Sequence, residues 1–172
     1  VASSADTQGV KFRSYNTATA TFAEELGMIP VQVEAAELSQ ALATGVAEAF
    51  ISSGSTGYDR KVWETLTHYY KVNAWHPRNY VMVNKGVWDG LSADMQASVQ
   101  KAADETGVAC NAKSASLADW YFEQLEANGM VVEDAAPEFL AELQKIGAKM
   151  QGDWVAEAGA DAQAILDAYN AN

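Results

Sequence analysis

The residue best suited to grip a small molecule is Arg13. It lies in the run Val10-Lys11-Phe12-Arg13-Ser14 and is followed by Tyr15 and Asn16. A guanidinium is always charged and can hold a carboxylate through two parallel N–H···O bonds. The competing reading is a surface arginine paired with a nearby acid. The alternating apolar pattern before it, and Tyr15 and Asn16 beside it, favour a ligand. Ser52 and Ser53 follow another apolar run, and residues 75–79, from Trp75 to Asn79, separate two more. Trp75 is either a packed aromatic or a wall for the apolar part of a ligand. Gly54-Ser55-Thr56-Gly57 could cradle an anion on backbone N–H groups, although such a run is more often only a turn.

Other chemistries lack their residues. Neither G-x-G-x-x-G nor G-x-x-x-x-G-K-[ST] occurs, and there is no G-x-S-x-G elbow. His68 and His76 are the only histidines and lack a metal-type spacing. Beside aromatics, each is more often structural than catalytic. The single cysteine, Cys110, rules out an intrachain disulfide and a Cys-rich metal site. It is expected on the apolar side of a long helix as a small core residue. No nucleophile–base pair is present, so no catalytic residue is assigned.

The elements that must position these groups follow from periodicity. Residues 1–9 read as a linker or loop without a signal peptide. Residues 10–14, 29–33 and 46–51 read as strands, with Pro30 tolerated at a strand start or edge. Helices are expected over 17–26 and 34–44, closed by Gly27 and Gly45. This alternation signals a parallel α/β unit. A helix is expected from Thr56, with Asp59 as capping-box partner, running past Val62, Trp63 and Leu66. Strands are expected over 68–74 and 79–84, and a short helix ends over 88–91. Ser92 caps a helix running to Ala127, with Met95, Val99, Ala102, Cys110, Leu117, Trp120 and Leu125 on one side. A brief strand over 130–133 precedes a helix opened by Pro137. A last helix holds Trp154, Ile165 and Leu166. No internal repeat is visible.

The chain has 172 residues, 49% of them apolar, enough for one domain with a real core. Its net charge of -12 argues against nucleic acid and anionic lipid as partners. Residues 1–90 carry seven Lys/Arg and nine Asp/Glu, whereas residues 91–172 carry four and fourteen. All three arginines, Arg13, Arg60 and Arg78, lie in the nearly neutral first part. No apolar run of about 18 residues exists to span a membrane as a helix.

The words GVKFRSYN, AEELGMIPVQVEAAELSQALATGVAEAFISS and VWETLTHYYKVNAWHPRNYVMVNKGVWDGLSADMQ resemble, in order and spacing, the DctP-type substrate-binding proteins of tripartite ATP-independent periplasmic (TRAP) transporters. The resemblance runs from about Ala5 to the C-terminus. It implies that Arg13, in the pattern G-x-K-x-R, salt-bridges a substrate carboxylate. Leu42 to Glu48 match the pattern L-x-T-G-x-x-[DE] before the third strand. Where sialic-acid-type members have an Asn after that strand, this chain has Ser52. A Glu-Trp pair marks a metal-assisted subgroup and is not found near Phe50 to Ser52, so no metal and no cofactor are expected.

The resemblance implies a type II periplasmic-binding-protein-like α/β fold with a parallel-dominated sheet. Members are about twice this long, so the chain reads as the C-terminal half. The implied division has a 1–9 linker and a 10–78 ligand-binding lobe. Residues 79–172 would hold a hinge strand, a long lobe-spanning helix and C-terminal helices that pack on the missing N-terminal lobe. The signal peptide would lie in that missing part.

The implied function is a periplasmic receptor that captures a small organic acid and delivers it to membrane permease subunits. In that reading Asn16, Ser52, Ser53 and Asn79 add neutral hydrogen bonds, while Tyr15, Phe50 and Trp75 shape the apolar part. Two alternatives stand beside it. One is an α/β enzyme acting on an organic acid with His76 or His68 as base. The other is a non-binding oligomerisation module or fragment with exposed apolar helix faces.

Overall fold

A computed structural model of the chain describes residues 1–75 and 79–171. Phe12 and Arg13 sit side by side on the central strand β1 (Lys11–Ser14) and point to opposite faces. Strand β1 pairs in parallel with β2 (Ile29–Gln32) on one side and β3 (Ala49–Phe50) on the other. Helix α1 (Thr17–Glu25) makes the crossover from β1 to β2. Asn16 caps its start, and Gly27 leaves its end at φ +70°, where the Gln8 amide fills the space a Cβ would take. Pro30 is accommodated because β2 is the edge of this three-stranded sheet.

The chain then returns through a 3-10 turn over Ala35–Glu37 and helix α2 (Leu38–Ala43) to β3. Strand β4 (His68–Lys71) pairs in parallel with β5 (Val131–Asp134) in a second ladder. Period-2 alternation through both ladders feeds two cores. Val31, Val33, Phe50, Tyr69 and Val132 meet α2, Val62 and Leu125 on one face. Phe12, Ala49, Ile51, Tyr70 and Val72 meet α1 and helix α6 (Pro137–Ala158) on the other. The expected parallel α/β architecture is therefore present.

Several expectations are corrected. Residues 1–9 hold a 3-10 turn over Ser4–Thr7 rather than running as a plain loop. Thr7 is buried there, and its Oγ1 donates to the Leu26 carbonyl at 2.7 Å. Helix α3 spans Gly54–Asp59 and starts before Thr56, because the Ser53 hydroxyl accepts the Thr56 N–H. It ends before Val62, where Lys61 turns left-handed (φ +49°) into a 3-10 turn over Val62–Glu64.

Residues 79–84 form no strand among the described residues. Tyr80, Val81, Met82 and Val83 are exposed, and an alternating pattern makes a strand only beside a ladder partner. Helix α4 (Lys85–Asp89) follows.

Helix α5 (Ala93–Ala127) has its expected Ser92 cap and, at 35 residues, is about 52 Å long. Its expected apolar side is not a core side. Cys110 is exposed, as are Met95, Val99 and Trp120, and only Leu125 is fully buried. The reason is packing: its main contacts are with α3 and β5 near its C-terminal end. Helix α6 runs past Trp154, which was expected in the last helix, and Gly159 (φ +76°) separates it from α7 (Ala160–Asn170). No helix among the described residues is long and apolar enough to cross a membrane.

Candidate carboxylate-binding site

The end of β1 presents Arg13, which is only 5% exposed. Its Nε donates to the Val33 carbonyl at 2.8 Å, just past the end of β2. Its Cζ lies 4.7 Å from the centre of the Tyr15 ring, a cation–π distance. Phe50 is its ladder partner on β3, so the two side chains share a face. The ion pairs among the described residues all use lysines, so Arg13 has no carboxylate partner there.

A buried charge without a counter-ion is costly. Burial pulls the guanidinium below its ordinary value, with Tyr15 and Glu34 acting the other way. An arginine nevertheless keeps its proton in such a setting. One edge of the fork is fixed by a carbonyl and one face by an aromatic ring. The two terminal nitrogens remain to receive an anion.

The other candidate residues divide into those the fold brings to this point and those it does not. Tyr15 and Phe50 adjoin Arg13. Asn16 caps α1, its Oδ1 accepting the Thr19 N–H at 2.9 Å. Ser52 is exposed just past β3. Ser53 is exposed too, with its hydroxyl engaged by Ser55 at 2.7 Å and by the Thr56 N–H. Trp75 lies across the sheet, edge-on to Phe22 at 5.5 Å, and helps wall a cavity of about 630 Å³ against α6. The structure therefore does not bring Trp75 to Arg13. Asn79 is exposed. His76 and Arg78 lie outside the described residues.

His68 is exposed and bonds the Thr67 hydroxyl through Nδ1 at 2.8 Å, while its ring stacks on Tyr70 at 5.9 Å. Gly54-Ser55-Thr56-Gly57 has a packing reason. A Cβ at Gly54 would come within 3.1 Å of Tyr121 Cβ, so the glycine lets α3 lie against α5.

Two groups escaped the sequence reading. The Val33 carbonyl carries no side-chain signal. Thr19, which closes the Asn16 cap, had one in the spacing Asn16-x-x-Thr19.

A parallel α/β unit with a buried, unpaired arginine at the end of its central strand fits a small-anion receptor. The chain belongs to the bacterial extracellular solute-binding proteins, family 7, whose family model matches residues 1–157. Three similar proteins have named solutes. A solved TRAP solute-binding protein from an unidentified microbe of a marine metagenome is 77% identical, with a TM-score of 0.96. It is described as specific for pyroglutamate and holds co-purified pyroglutamate; the match covers 100% of this chain and 57% of that one. A Bordetella pertussis extracytoplasmic solute receptor binding pyroglutamic acid is 40% identical, with a TM-score of 0.96 and coverage of 100% and 57%. The C4-dicarboxylate-binding periplasmic protein DctP of Rhodobacter capsulatus is 35% identical over 81 residues, 47% of this chain and 24% of that protein. The chain thus spans little more than half the length of its solved relatives.

Proposed function

We propose that the chain supplies the carboxylate-gripping side of a periplasmic TRAP receptor, and that the solute is pyroglutamate. The observation that carries this is Arg13, buried with its terminal nitrogens free of any carboxylate among the described residues. The 77% and 40% identical proteins, both described with pyroglutamate, support the choice of solute. That molecule offers one carboxylate, one lactam N–H, one carbonyl and a small apolar ring. Arg13 would take the carboxylate, with Tyr15 and Phe50 beside it. Asn16, Ser52, Ser53 and Asn79 would meet the lactam.

Residues 10–78 would act as the ligand-binding lobe. Residues 79–172 would provide the hinge and the helices that meet a second lobe. The work is closure of the two lobes around the solute, which shifts the population toward the closed state. No chemical step is involved, and the loaded receptor passes its cargo to membrane permease subunits.

Calorimetry with pyroglutamate on a receptor of the relatives' full length tests this. Arg13→Ala is expected to weaken binding by about 2–4 kcal/mol, the scale for truncating one partner of a buried charge pair. An unchanged Kd would remove Arg13 from the site.

A further inference from the structure

We propose that Thr19 is a positioning residue for ligand binding, aiming the Arg13 guanidinium by pinning the turn that carries Tyr15. The inference rests on Arg13 being the carboxylate clamp. Thr19 is 0% exposed. Its Oγ1 accepts the backbone N–H of Tyr15 at 3.1 Å and that of Asn16 at 3.3 Å. The same oxygen lies 3.0 Å from both the carbonyl and the Oδ1 of Asn16, and donates to one of them. A hydroxyl has one proton and two lone pairs, so its capacity is filled. Asn16 Oδ1 in turn accepts the Thr19 N–H. One buried hydroxyl therefore fixes two consecutive peptide N–H groups between β1 and α1.

Tyr15 is what that turn presents. Its side chain is exposed and belongs to neither apolar cluster, so the backbone beneath it sets where the ring lies. The ring covers the Arg13 guanidinium at 4.7 Å. With Nε held by Val33, the remaining freedom of the fork is a rocking motion about that bond, and the Tyr15 ring blocks it on one face. Removing the Thr19 hydroxyl leaves two N–H groups without a partner. The turn then relaxes and the ring moves off the guanidinium. A residue serving only as a helix cap would change stability and leave affinity alone.

The test uses pyroglutamate and a receptor of the relatives' full length, with Kd and Tm measured for each variant. Thr19→Val should weaken binding about tenfold. Thr19→Ser, which keeps the hydroxyl, should stay within about twofold of the parent. Adding Thr19→Val to Tyr15→Leu should cost no further affinity, since both act on the same ring.

A Thr19→Val protein with lower Tm and unchanged Kd would overturn the proposal, as would additive losses in the double variant. If Thr19→Val does not fold, Thr19→Cys, which keeps a weak acceptor, takes its place under the same criteria. Arg13→Ala separates the two levels. Loss of binding there with none at Thr19→Val overturns only the role of Thr19. No loss at Arg13→Ala, or no pyroglutamate binding by the parent, overturns the clamp reading and this inference with it.

Discussion

A lysine in place of Arg13 would have one nitrogen for two tasks. The guanidinium bonds Val33 through Nε and keeps two terminal nitrogens for an anion; an ammonium on a flexible stem does not reproduce that division. Arg13→Lys is therefore expected to keep the charge and still weaken pyroglutamate binding by about tenfold or more, measured by calorimetry. Tyr69 gives a second prediction at this scale. Burial raises its phenol above the ordinary value, because the phenolate is disfavoured inside the core. The folded value lies above the unfolded one, so its contribution to stability is complete below about pH 10 and is lost as pH climbs through the raised value. Tyr69→Phe should flatten that alkaline decline, read from thermal unfolding between neutral pH and about pH 11. Arg13 and its neighbours Tyr15 and Phe50 were legible in the sequence, because charge, spacing and strand pattern all appear as letters. The carbonyl that braces Arg13 was not, because every residue has one.

The contact between α3 and α5 is the element most open to test. Gly54 sits where any side chain would press on Tyr121 Cβ, part of the helix backbone's own frame rather than a flexible tip. Gly57 faces Leu125 and Val62 at 3.5 Å, ordinary contact distance. Gly54→Ala should destabilise by about 1–2 kcal/mol in denaturant unfolding, while Gly57→Ala should be close to neutral, since it also gains helix propensity. Helices α1 and α6 and strands β1 and β2 were readable from caps, glycines and Pro137. Residues 79–84 were not, and neither was the exposure of the first turns of α5, although the helix itself and its Ser92 cap were. Their apolar letters match strand and helix periods, but periodicity records only that a face is apolar. It does not say whether the covering partner lies within this chain. Cys110 was misplaced for the same reason.

At the scale of the molecule, the sheet divides two cores that share strands but not side chains. Leu38 is 1% exposed on one face and Leu143 is 8% exposed on the other. Leu38→Ala and Leu143→Ala should each cost about 2–4 kcal/mol, and the double variant should lose their sum within about half a kcal/mol. A clear departure from the sum in chemical denaturation would show that the sheet transmits strain between the faces. The same division sets the site apart from the packing. Phe12 anchors the α1/α6 side, while Arg13, one residue on, faces the other, where it is braced by Val33. That brace has a bearing on inheritance. A codon change at position 33 can alter the side chain but cannot delete the carbonyl, which even proline keeps. The bond to Arg13 therefore does not depend on the side-chain chemistry at position 33 so long as the residue there still fills the core, and a lineage acquiring a new cargo can keep that bond while exposed groups such as Ser52 change.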